Sequence, residues 1–265
     1  METVAIAYLI LAHKQPEQLT RMIRALHDFR DYFFVHLDSE SNLSEFECFL
    51  SDFNNVLFIQ PRYRTNWGDF GLVEATLSGL QQIKNLDIVD HVIMLSGQDY
   101  PIKSKDYIRR FIMKNKDKIF MEYFPIPDSR WSNGGEWRFP NYDKVKSVMK
   151  LYCGSQWISL PRSIIEYIAE FIDLNPAYID YFRRTKIPDE SFFQTMFFNW
   201  EVVEFERSIE STNLHLTIWI DNASHPQILT IKDTAVLKST NKLFARKFDT
   251  NTSSDILDYI DQRML

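Results

Sequence analysis

The feature that most constrains this chain is an alternation of short, β-branched apolar runs with amphipathic stretches. The runs are VAIAYLILA (residues 4–12), YFFVHLD (32–38), NVLFIQ (55–60) and HVIMLSG (91–97). Their length and near-continuous apolarity suit strands buried on both faces. Between them, PEQLTRMIRALHDF places Leu19, Met22, Ile23 and Leu26 at helical spacing, and DFGLVEATLSGLQQI does the same with Leu72, Ala75, Leu77 and Leu80. Strand, helix, strand in succession predicts crossover helices on a parallel sheet. The result is an α/β layer fold whose ligand crevice lies beyond the carboxyl ends of the strands. Three polar strand endings fall at that edge: Ala12-His13-Lys14, His36-Leu37-Asp38 and Ser96-Gly97-Gln98-Asp99.

The second half is less regular. The stretch PIPDSRWSNGGEWRFPNYDK (125–144) is rich in Pro, Gly, Asn and Asp and reads as a flexible acceptor loop. It is followed by GSQWISL, the helical RSIIEYIAEFIDL, PDESFFQTMFFNW and LFARKFDT. No internal repeat or Ser/Gly linker marks a boundary, so residues 1–265 are expected to form a single catalytic domain.

A net charge of −6, from 30 basic and 36 acidic residues, supplies no bulk attraction for nucleic acid or anionic lipid. Any anionic ligand must therefore meet a local cationic site. Cys48 and Cys153 belong to no CxxC pair, which suggests neither a disulfide framework nor a zinc site and points to reduced, cytoplasmic thiols. METVAIAYLILAHKQ has no basic leader and is too short to span a membrane, so it reads as a buried first strand. The phosphate cradles GxGxxG and GxxxxGK[ST], the nucleophile elbow GxSxG and the zinc motif HExxH are all missing.

In PDESFFQ, Pro188 can open a helix with Asp189 and Glu190 in its first turn. The positive end of the helix would keep Glu190 ionised and able to accept a proton. The same carboxylates can equally be ordinary helix-terminal charges. In LFARKFD, Arg246 and Lys247 can bind a diphosphate, Arg through forked hydrogen bonds and Lys as a point charge, or form an exposed basic turn. Asp38-Ser39-Glu40 resembles an acidic DxD pair that holds Mg²⁺ or Mn²⁺, although Asp38 can also cap the following turn or bind a ribose. Trp67, Trp137 and Trp157 sit in polar contexts where an indole can stack on a sugar or serve as a core anchor.

Together these segments resemble the core-2/I-branching β-1,6-N-acetylglucosaminyltransferase family, which also contains the peptide O-xylosyltransferases. The pieces occur in family order: AYLILAH, YFFVHLDSES, the NWG-led helix, VIMLSGQDYPIKS, GSQWISLPR, PDESFFQT and LFARKFD. The resemblance implies a GT-A-like, Rossmann-like nucleotide-binding sheet with flanking helices and acceptor-binding loops. It also implies inverting transfer from a UDP-sugar to a glycan. On matching positions, Glu190 would be the base, and Lys247 with Arg246 would neutralise the diphosphate without a metal. His13, Asp38, Arg64, Trp67 and Asp99 would complete the donor side, with Gln156, Trp157 and Asp189 on the acceptor side.

This chain is similar to a bacterial, cytoplasmic form of that family, without the anchor and stem of animal Golgi enzymes. The expected partners are a nucleotide sugar and a glycan, lipid-linked in some settings and reached by peripheral membrane contact, with no nucleic acid and no cofactor. Where animal branching enzymes carry a further arginine, this sequence reads DNASHPQIL, leaving His225 as the only potential cation there. ESFF and GSQW look more like the xylosyltransferase branch, so both xylose and GlcNAc stand as donor sugars.

Overall fold

A computed structural model of the chain describes residues 4–199, 208–220, 223 and 225–265. Met1–Thr3, Trp200 at the end of the PDESFFQ run, and Asp221, Asn222 and Ser224 of DNASHPQIL lie outside the described residues. The first half runs β1 (Ile6–Ala12), α1 (Pro16–Leu26), β2 (Tyr32–Leu37), α2 (Leu43–Leu50), β3 (Val56–Phe58), α3 (Gly71–Lys84), β4 (His91–Ser96), β5 (Asp99–Pro101) and α4 (Lys105–Lys114). It continues through β6 (Ile119–Phe120), β7 (Tyr123–Pro125), α5 (Tyr142–Val145), β8 (Tyr152–Gly154), β9 (Ser159–Pro161), α6 (Arg162–Leu174), α7 (Pro176–Phe182) and α8 (Phe192–Asn199). The last elements are β10 (Ile209–Glu210), β11 (His215–Thr217), α9 (Thr234–Ser239), β12 (Phe244–Arg246) and α10 (Thr250–Arg263).

The α/β class read from the sequence is the one observed. Seven strands form the main sheet in the order β10-β6-β9-β4-β1-β2-β3. The four strands expected from the apolar runs pair in parallel, whereas β9 runs antiparallel to β4 and β6, so the sheet is mixed. The alternation of side chains explains why these runs are apolar throughout. In β1, Ile6, Tyr8 and Ile10 enter one core while Ala7 and Leu9 enter the other. In β4, Ile93 and Leu95 join the first core, and Val92 and Met94 the second. A strand buried on both faces has no solvent side on which to place polar residues.

Helix α1 opens at Pro16, whose missing N–H is one that a helix start leaves unbonded, and buries the predicted Leu19, Met22, Ile23 and Leu26. Helix α3 buries Val73, Ala75, Leu80 and Ile83, whereas the predicted Leu72 and Leu77 are only half-buried. Its approach to β1 depends on Gly79: a Cβ there would lie 2.3 Å from the Leu9 side chain.

Two expectations are corrected. The 125–144 stretch is not a loose loop. A 3-10 segment at Ser132–Arg138 turns through left-handed Asn133, Gly134 and Gly135, and Trp131 packs edge-on to Phe124 at 5.2 Å. In the other case, Pro188–Glu190 is a separate 3-10 turn, and α8 begins only at Phe192. Glu190 therefore precedes the helix rather than sitting in its first turn.

Candidate functional site

The carboxyl ends of β1 and β4 open into a cleft of about 730 Å³. The main sheet contributes Ala12, His13 and Ser96, the loop before α3 supplies Thr65 and Trp67, and the β7–β8 side supplies Glu122, Phe124 and Gly154. Gln156, Trp157, Glu190, Trp219, His225, Arg246 and Lys247 close it. Trp67 and Trp219 are 64% and 57% exposed, so two indoles stand at the cleft with faces open to a ligand. Trp67 meets the His225 ring edge-on at 6.1 Å. Gly154 is required by crowding, because a Cβ would lie 1.8 Å from the Glu122 carbonyl oxygen.

Glu190 holds one part of this cleft. Arg138 donates to its Oε2 at 2.7 Å, and the guanidinium lies 3.3 Å from the centre of the Trp131 ring. Burial pushes the Glu190 carboxyl up, and Arg138 offsets this only in part, with Glu122 adding to the upward shift. The expected source of its ionised state is thus corrected: Arg138, rather than a helix end, favours the carboxylate. A carboxylate with a raised pKa is a stronger proton acceptor than an exposed one. Arg138 and Glu122 were missed in the sequence because each reaches Glu190 only through tertiary folding.

The cations occupy a second part. Arg246 ends β12, which pairs antiparallel with β5 so that Arg246 faces Asp99. Its Nε lies 3.3 Å from Asp99 Oδ1, and its guanidinium sits 4.2 Å from the Trp157 ring centre. His215 Nε2 approaches the other Asp99 oxygen at 3.3 Å. Neither contact is a well-aligned hydrogen bond, since Arg246 Nε and both His215 ring nitrogens lack hydrogen-bond partners. Burial pushes the Asp99 carboxyl up, but Arg246, His215 and Ser96 outweigh it and leave the group below the usual carboxylate range. Arg246 is therefore an anchored cation and not an exposed basic turn.

Lys247 follows, and among the described residues no carboxylate lies within ion-pair distance of it. Its pKa is lowered by burial and then by repulsion from Arg246 and Lys14. Burial, Lys14 and Lys247 likewise lower that of His13. Crowded like charges of this kind are relieved when an anion enters. Lys14, in the polar strand ending that the sequence marks, pairs with Asp249 at 3.5 Å and adds to the positive charge around Lys247 from outside the cleft lining.

Of the residues predicted for the site, His13, Trp67, Gln156, Trp157, Glu190, Arg246 and Lys247 line the cleft, as does His225. Asp38, Arg64, Asp99 and Asp189 do not. Asp38 accepts hydrogen bonds from the Thr65 backbone and hydroxyl and from Glu40 N, which places it behind the Thr65 wall. Arg64 pairs with Glu40 at 3.2 Å on the surface. Asp99 lies buried behind Arg246, and Asp189 is buried beside α8 with Oδ1 unbonded.

Burial, with the Glu190 charge adding to it, pushes the Asp189 carboxyl up from 3.8 to about 7. The unfolded chain releases this proton near pH 4 while the folded one retains it, so stability should fall as pH rises from about 4 to about 7. The shift corresponds to roughly 4 kcal/mol. Asp189→Asn should therefore melt above wild type at about pH 8 and match it near pH 4. Equal melting curves at both values would refute the assignment.

The sequence from residue 6 to residue 242 matches the family model described as Core-2/I-Branching enzyme. This chain belongs to that family. It is 26% identical over 291 residues to xylosyltransferase 2 of Canis lupus familiaris, covering 97% of this chain and 33% of that protein. Xylosyltransferase 1 of Rattus norvegicus is 25% identical over 234 residues, covering 82% of this chain and 28% of that one. The chain thus spans about a third of the length of these relatives. Among solved structures, mouse xyloside xylosyltransferase 1 in its apo form aligns with a TM-score of 0.48 at 12% identity, covering 94% of this chain and 99% of that one. The galactosyltransferase LgtC with donor and acceptor sugar analogs aligns at 0.49 and 8% identity, covering 98% and 96%.

Proposed function

We propose that this member of the family is an inverting glycosyltransferase. It transfers a sugar from UDP to a hydroxyl of a glycan acceptor, forming a β-linkage. The observation that carries the reading is one cleft holding a half-buried carboxylate, Glu190, an anchored cation, Arg246, and a second cation, Lys247, beside it. Glu190 takes the proton of the acceptor hydroxyl as its oxygen attacks the anomeric carbon. The bond from that carbon to the phosphate oxygen breaks, and UDP departs with the electron pair toward Arg246 and Lys247. Glu122 offers the acceptor a carboxylate for its hydroxyls, beside a wall of Phe124 and Trp131 stacked under Arg130 and Arg138.

Xylose and GlcNAc are the favoured donor sugars, and the similarity to xylosyltransferases favours xylose. No metal is needed in this mechanism, because the cations already meet the leaving group. The acidic pair is engaged elsewhere, Asp38 by Thr65 and Glu40 by Arg64. Among the described residues, no helix is long and apolar enough to cross a membrane. The biological setting we propose is cytoplasmic extension of a surface polysaccharide on a lipid carrier, met by peripheral membrane contact.

A donor screen tests this. UDP release should rise with UDP-xylose or UDP-GlcNAc in the presence of a glycan and persist in EDTA. Activity lost in EDTA and restored by Mn²⁺ would overturn the metal-free mechanism. A failure of every UDP-sugar to raise the melting temperature would overturn the donor class, because a ligand bound only by the folded state must stabilise it.

A further inference from the structure

Residues 103–118, KSKDYIRRFIMKNKDK, hold seven basic and two acidic residues in a chain whose net charge is −6. They form α4 and its flanks. Helix α4 buries Ile108 and Ile112 against the core and turns Tyr107, Arg110, Met113 and Lys114 outward. Tyr107 is 41% and Met113 44% exposed, so apolar groups are interleaved with the cations. Beside this face lies the turn before β2, fastened by Lys105 Nζ to the His27 carbonyl at 2.8 Å and by Arg109 to Asp28 and Asp31 at 3.4 and 2.7 Å. That turn carries Phe29, 83% exposed, with the Arg30 guanidinium 5.3 Å from its ring centre.

The nearby carboxylates do not cancel the patch. Asp28 is held by Arg30 and Arg109, Asp31 by Arg109, and Glu210 pairs with Lys118, which leaves Asp106 and Asp117 among the other cations of the segment. Arg109 also donates to the Val4 carbonyl, just before β1. The patch therefore lies at the amino-terminal edge of the parallel strands, away from the cleft at their carboxyl ends.

We propose that this face, centred on Phe29, Arg110, Met113 and Lys114, docks the protein onto an anionic lipid surface. The cations meet the headgroups, and Phe29 and Met113 enter the boundary between headgroup and acyl chain. Interleaved apolar side chains favour a bilayer over a nucleic-acid duplex, whose outward phosphates offer nothing to an exposed Phe and Met, and the oligonucleotide arm of the test covers single strands. Docked this way, the cleft stays open to soluble donor. The inference does not rest on the catalytic reading, and its test uses no turnover.

Co-sedimentation of the full chain with phosphatidylcholine vesicles, with and without phosphatidylserine, tests the proposal. Binding should require phosphatidylserine and weaken as salt rises. Each basic side chain near an anionic surface contributes about fivefold, so the Arg110→Ala/Lys114→Ala double variant should bind about 30-fold more weakly. Both positions are exposed, and the melting temperature and its shift with UDP should match wild type, showing an intact fold and cleft. Phe29→Ser should also weaken binding. The proposal is overturned by equal binding to both vesicles, by wild-type binding in the double variant, or by tighter binding to an oligonucleotide than to the vesicles.

Discussion

Glu190→Gln should lower turnover by about 10²–10⁴-fold, the usual contribution of a positioned general base, while UDP binding stays near wild type. Gln keeps the shape of the side chain but cannot take the acceptor proton. The Arg138 stack on Trp131 does not depend on the Glu190 charge, so the local packing should survive. The acid limb of the pH profile gives a second readout. Burial raises the Glu190 carboxyl, so activity should fade on acidification at a pH above the ordinary glutamate value, as the base becomes protonated. Arg138→Gln removes the group that favours the ionised form and should move that limb to still higher pH. Turnover within a few-fold of wild type in Glu190→Gln would end the assignment.

The second large effect is on stability. Asp99→Ala should destabilise the fold by about 3 kcal/mol, because it leaves the largely buried Arg246 guanidinium without its counter-charge. For a chain of this size, each kcal/mol lowers the melting temperature by roughly 2–4 °C. Donor binding should weaken as well, since Asp99 is what holds Arg246 at the cleft. The pH dependence is opposite in sign to that of Asp189. The Asp99 carboxyl lies below its unfolded value in the folded state, so its contribution is present above that unfolded value. It is lost as pH falls through the folded one. An unchanged melting temperature in Asp99→Ala would show that the network with His215 is not what orders Arg246.

Asp99 also shows where reading a sequence stops. GQDYPI marks a strand-end carboxylate but not its direction, and Asp99 points at a residue 147 positions later in the chain, Arg246. Asp189 and Glu190 are a sharper case. They are adjacent and chemically similar, yet one is buried beside α8 and the other lines the cleft with Arg138 as its partner. Only the turn at Pro188–Glu190 separates their fates. Glu122 and Arg138 carry no local signal, because ordinary charged residues become site residues only through what packs around them.

By itself the sequence determined the parallel strands, α1 and the ordered motifs of the family. Those features follow from apolar periodicity and from short-range chemistry that neighbouring residues impose on one another. Tertiary structure alone decided that β9 would run antiparallel and that the 125–144 stretch would fold around Trp131. It also set Arg246 between Asp99 and Trp157, and it made burial and Arg138, rather than a helix dipole, govern Glu190. Charge states and site geometry depend on desolvation and on partners distant in the chain, and neither quantity exists until the chain has folded.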